Sequence, residues 1–100
     1  MNIEKTNADG ITIFALDGKL DAVSAPQLHT ELLEELNTVK NVTLDCAKLT
    51  YLSSAGLRVL LAGDKTTKSL GCKMTLKGVS DKIMEILVMT GFEKILTFEK

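Results

Sequence analysis

Hydrophobic and polar positions change period several times along the chain, and each change predicts an element. Asn2–Thr6 and Ile11–Leu16 read as strands, and Ile11–Leu16 is rich in β-formers. The second run is almost continuously apolar in its latter half, the pattern of a strand covered on both faces. Asp9-Gly10 between them fits a hairpin turn, because glycine accepts positive φ. The period then lengthens. Leu28, Leu32 and Leu36 recur at helical spacing, so Ala25–Leu36 is predicted as a helix, with Leu33 widening its stripe and Glu31, Glu34 and Glu35 largely towards solvent. Ser24 with Gln27 three residues on suits a capping box, and Pro26 is tolerated in a first turn.

Asn41–Cys46 is the next predicted strand, with Val42 and Leu44 on one face. A helix follows from Ser54 to about Ser69. Its first half is apolar and its second half, from Asp64, is polar, so its beginning is expected buried and its end protruding. Gly71 stops it. Lys73–Lys77 is a strand with Met74 and Leu76 inward. Asp81–Thr90 is a third helix, capped by Ser80 and ended by Gly91, with Ile83, Ile86 and Leu87 towards the core. Lys94–Phe98 is the last strand. The order β-β-α-β-α-β-α-β predicts an α/β domain spanning 1–100, with a mixed, mostly parallel sheet, right-handed crossovers and an antiparallel edge strand.

Composition narrows the functions this architecture can serve. The chain has 100 residues, 45% of them hydrophobic, with 12 basic and 13 acidic residues. That balance argues against nucleic acid as a partner. No apolar run reaches the ~20 residues needed to cross a bilayer, so no direct membrane insertion is expected. Met1–Thr6 does not resemble a signal peptide, so cytoplasmic residence is expected. Cys46 and Cys72 stand far apart and are expected to be reduced packing residues, and a single histidine, His29, disfavours a metal site. His29 is also the only candidate base for a serine nucleophile, and neither a Walker A loop nor a Gly-x-Gly-x-x-Gly run is present. An enzyme is therefore not expected, nor a cofactor.

Candidate chemistry gathers where parallel strands end. Loops at the carboxyl ends of such strands share one sheet edge. Asp17–Asp21 and Ala47–Ser54 follow two neighbouring strands, so Asp21 should meet Ser53 and Ser54. Either serine could cap the second helix. A phosphate there would gain about 0.3–1 kcal/mol from the helix N-terminus, and Arg58, one turn on, could reach it. Gly56 either admits a partner's backbone or packs closely within the helix start. On spacing alone the serines are ordinary caps and Asp21 a turn residue.

Gly18-Lys19-Leu20-Asp21 resembles the Gly-x-Leu-Asp signature of STAS domains, shared by sulfate transporters and anti-sigma factor antagonists. Leu44-Asp45-Cys46 followed by Leu52-Ser53-Ser54-Ala55-Gly56-Leu57 resembles their strand, phosphorylation loop and helix, and Met89-Thr90-Gly91-Phe92 their step into the last strand. The resemblance covers essentially the whole chain. It implies an antagonist that, unphosphorylated, binds an anti-sigma factor that is also a serine kinase of the GHKL type, releasing a sigma factor. Phosphorylation breaks the complex, and a PP2C-type phosphatase restores binding. Carried over by position, the acceptor is Ser54, with Ser53 as the alternative, because Ser53 stands where many members have aspartate. Ala55 replaces a second serine common in the family. Asp21, Ser53, Ser54, Gly56 and Arg58 are the expected partner-binding residues. The resemblance also allows a regulator of a target other than a sigma factor, or a small non-switching subunit of a membrane transport complex.

Overall fold

Asp9 and Gly10 both take positive φ, 53° and 79°, and reverse the chain between two strands. The pair has the left-handed backbone that a tight hairpin demands. It joins β1 (Asn2–Ala8) to β2 (Ile11–Leu20). α1 (Ala25–Leu36), β3 (Asn41–Leu52), α2 (Ser54–Ser69), β4 (Met74–Lys77) and α3 (Asp81–Met89) follow, then a 3-10 turn at Phe92–Lys94 and β5 (Thr97–Phe98). This computed structural model describes residues 1–38 and 41–99.

The five strands lie in sequence order, β1-β2-β3-β4-β5, with β1 antiparallel to β2 and every later pair parallel. The mixed sheet with an antiparallel edge is the expected one. Phe14 of β2 pairs with Leu44 of β3, and Leu44 with Leu76 of β4, so three buried side chains form a row on one face. Leu28, Leu32 and Leu36 of α1, Leu57 and Leu60 of α2, and Ile83 and Leu87 of α3 complete the same core. The other face is different. Ile11, Ile13, Ala15, Thr43, Asp45 and Thr75 are only half-buried. The expectation that β2 is covered on both faces is thus corrected. Right-handed crossovers that all step the same way across a sheet deliver every helix to one side.

Four further expectations change. Glu35 is buried, not solvated: Thr12 Oγ1 donates to its Oε2 at 2.6 Å, and Lys5 Nζ lies 3.3 Å from Oε1. This ties α1 to the hairpin. Leu33, by contrast, is exposed. The second half of α2 does not protrude, because Asp64 and Thr67 are buried, with Asp64 paired to Lys68 at 2.9 Å. The last strand shrinks to Thr97–Phe98, since the chain after Gly91 first makes a 3-10 turn. Both cysteines are free; Cys46 is buried, and burial pushes its thiol up to about 12.

Candidate functional site

The segments expected as loops after β2 and β3 are instead paired extensions of those strands. Ala15 pairs with Asp45, but Asp17 pairs with Lys48, and Gly18 with Leu49 but Lys19 with Tyr51. β3 therefore carries an extra residue at two places. Each bulge shifts the side-chain parity, so Cys46, Leu49 and Leu52 are all buried although three residues apart. The extensions lift the ends of β2 and β3 together, and Ser53 N–H donates to Leu20 O at 2.9 Å. That bond holds the residue before Asp21 against the residue before Ser54, at one edge of the sheet.

Beyond Leu20 the chain makes a pinned turn. Asp21 Oδ1 accepts from Val23 N–H at 3.0 Å and from Ser24 N–H at 3.2 Å. Asp21 N–H donates to Ser24 Oγ at 3.0 Å, Ser24 Oγ donates to Lys19 O at 2.7 Å, and Ala25 N–H donates to Asp21 O at 2.8 Å. Ser24 does not form the expected capping box. Its backbone is already helical, and its hydroxyl turns back to Lys19. The Ser24 N–H holds the Asp21 carboxyl below its ordinary value, helped by Val23 N–H, the Ser24 hydroxyl and the Lys19 charge, with desolvation opposing.

Ser53 is the N-cap of α2. Its backbone is extended (φ -93°, ψ 174°), and its Oγ accepts from Gly56 N–H at 3.3 Å. Ser54 is the first helical residue. It is exposed, and its hydroxyl has no hydrogen-bond partner among the described residues. Arg58 is also exposed and reaches back, with Nε 3.5 Å from Ser54 O. The two serines therefore differ: one hydroxyl is occupied by the helix and the other faces water.

Gly56 lies buried inside this arrangement. A Cβ there would stand 2.8 Å from Leu20 Cγ, 2.9 Å from Leu20 O and 2.9 Å from Leu52 Cδ1. Close packing at the helix start is its role, and it lets α2 begin directly against the ends of β2 and β3.

Beside Asp21 the site holds residues that the sequence does not single out. Lys19, Asp21, Thr50, Tyr51 and Lys82 line an open groove of 430 Å³. Tyr51 is 45% exposed and Val23, at the tip of the pinned turn, 89% exposed. An apolar residue just before a helix cap ordinarily signals a staple packed on the helix, so nothing in the sequence marks Val23 as left in water. Lys82 comes from α3 and reaches the groove only through the tertiary fold.

Chemically, this edge offers an exposed hydroxyl at the start of a 16-residue helix. Free N–H groups and the positive helix end favour an anion there by about 0.3–1 kcal/mol. His29 is exposed on α1 and lines no part of the groove. No group of three His, Cys, Asp or Glu among the described residues is placed to hold a metal. No helix among them is long and apolar enough to cross a membrane.

The STAS domain family model matches residues 2–100. A Bordetella bronchiseptica protein provisionally named the anti-sigma factor antagonist BtrV is 31% identical over 96 residues, covering 95% of this chain and 83% of that protein. The anti-sigma-B factor antagonist of Listeria monocytogenes is 29% identical over 98 residues, covering 96% of this chain and 84% of that one. Among solved structures, the anti-sigma factor antagonist SpoIIAA of Bacillus in its unphosphorylated form matches with a TM-score of 0.79 at 12% identity, over 99% of this chain and 88% of that one. Its phosphorylated form matches with a TM-score of 0.76 at 12% identity, over 99% and 92%.

Proposed function

The chain belongs to the STAS domain family, and on that premise we propose that it is an anti-sigma factor antagonist controlled by phosphorylation of Ser54. Its curated relatives are regulators named for that role. The unphosphorylated protein binds an anti-sigma factor that is also a GHKL-type serine kinase, the kinase phosphorylates Ser54, and the complex dissociates. A PP2C-type phosphatase resets the switch. The whole chain acts as one such module, in the cytoplasm.

The observation that carries this reading is the contrast between the serines. Ser54 Oγ is exposed and unbonded among the described residues, whereas Ser53 Oγ caps α2 through Gly56 N–H. A kinase can take the first hydroxyl without uncapping the helix. That supports Ser54 over Ser53, even though Ser53 replaces the family's usual acid.

Magnitudes favour a switch of surface charge over a switch of fold. Moving a complex from almost fully bound to almost fully free takes about 5.5 kcal/mol. A phosphate at a helix end gains at most about 2 kcal/mol. A dianion of roughly -1.5 to -2 charges forced into a desolvated interface costs several kcal/mol. The fold's likeness to both forms of SpoIIAA agrees with a backbone that accommodates the phosphate.

The test uses GHKL-type serine kinases from the same genome, purified one at a time. One of them is expected to retain wild type and Ser54→Ala on an affinity column and to lose Ser54→Asp. With ATP it should phosphorylate wild type and Ser53→Ala but not Ser54→Ala. Equal retention of all forms by every kinase would sink the phosphoswitch.

A further inference from the structure

Asp21 is an expected partner-binding residue, yet one oxygen of its carboxylate is engaged by its own turn. Oδ1 already faces Val23 N–H, Ser24 N–H and the Ser24 hydroxyl, the last at 3.3 Å. The turn is fixed at both ends, by Ala25 N–H on Asp21 O and by Ser24 Oγ on Lys19 O. What this bonding holds in place is Val23, the most exposed of the large apolar side chains at 89%. Single exposed apolar residues are ordinary. Val23 differs because a network of short bonds fixes its backbone, at a place where the fold gains no burial from it. A side chain already fixed before docking loses little conformational entropy on binding.

The surroundings define what can receive it. Asp21 also lines the groove of Lys19, Thr50, Tyr51 and Lys82, so the turn and the groove are one surface. Lys19 and Lys82 come from different elements, and neither makes a salt bridge among the described residues. Two cations, an exposed tyrosine and a single carboxylate, one oxygen of which is engaged by its own turn, line this surface. A complementary surface is acidic at its rim and apolar at its centre. The Ser53 N–H bond to Leu20 O holds the start of α2, with exposed Ser54, next to this turn in the fold.

We propose that Val23 is an apolar knob entering a socket on the partner protein, that Asp21 is the positioning residue holding it out, and that carboxylates at the socket's rim meet Lys19 and Lys82. The inference rests on the partner-switching reading and names the docking chemistry of that site. An aspartate that positions a turn differs from one that pairs with a partner's cation in one respect: its neutral isostere keeps the acceptor oxygen and the turn.

The test measures affinity for the purified GHKL-type kinase that retains wild type, by calorimetry, with the melting temperature of each variant. Val23→Asp is expected to weaken binding by about 30-fold or more at unchanged melting temperature. Asp21→Asn should bind within about threefold of wild type and Asp21→Ala about tenfold worse, because only Asn preserves the Asx turn. Lys19→Glu with Lys82→Glu should weaken binding about tenfold and flatten its salt dependence. Val88→Asp with Met89→Asp, changing exposed apolar residues at the far end of α3, should bind as wild type. Wild-type affinity for Val23→Asp overturns the knob, and Asp21→Asn as weak as Asp21→Ala overturns the positioning role. Loss in Val23→Asp with full binding by Ser54→Asp keeps the docking surface and removes the switch; the reverse keeps the switch and removes the docking surface. Absence of any binding by wild type overturns both.

Discussion

Asp21 and Ser54 show how little of a residue's role its identity declares. An aspartate before a helix can cap, pair or sit in water, and only its bonding partners decide. Here the backbone N–H of Ser24, then that of Val23, favour the charged form, so the carboxyl lies below its ordinary value of 3.8. The sign follows from linkage. A depressed folded value contributes stability that is fully present above the unfolded value and is lost as the pH falls through the folded one. Wild type should therefore melt above Asp21→Asn by a constant margin between about pH 5 and 8, and the margin should close below about pH 4. A margin that persists to about pH 2 would mean the charge is not what stabilises the turn. The two serines teach the same lesson. They are neighbours of one type, yet Ser53 is bonded to Gly56 N–H and Ser54 is not bonded among the described residues.

At the scale of elements, the alternation of β3 was legible only as far as Cys46. After it come Ala47-Lys48-Leu49-Thr50-Tyr51-Leu52, whose buried positions are three apart because of the bulges, so the period-2 signal vanishes while the strand continues. The three helices were legible because Leu28, Leu32, Leu36, Leu57, Leu60, Ile83 and Leu87 repeat at helical spacing and are buried. Polar letters misled twice, at Glu35 and at Asp64, since a buried acid with a partner has the same code as a solvated one. Of the site, the shared edge of the β2 and β3 ends followed from topology. Val23, Tyr51 and Lys82 did not, because their importance lies in exposure and in contacts between distant segments. Gly56 is where element and site depend on each other. Gly56→Ala should lower stability by about 1–3 kcal/mol, because its methyl meets the carbonyl of Leu20 as well as a flexible side chain. Kinase binding should weaken with it, since α2 must move off β2 and β3. Denaturant melts indistinguishable from wild type would show that the helix start has room the geometry denies.

For the molecule as a whole, the decisive feature is a sheet whose strands lie side by side in the order in which they occur in the chain. Each crossover therefore closes onto the strand just made, and no strand must wait for a distant one to be inserted beside it. Neighbouring crossovers keep each pairing as local as a parallel sheet allows, and growing chains fold from the N-terminal side. β1, β2, α1, β3 and the first turn of α2 carry every proposed contact except Lys82. On a translating ribosome most of the docking edge can thus assemble before β4 and β5 have been synthesised. Pulse-labelled hydrogen exchange during refolding should protect the amides of β2 and β3 before those of β5, and simultaneous protection of all three would contradict this order. Most of the interface is then among the earliest parts of the molecule to exist, and α3 completes it by bringing Lys82.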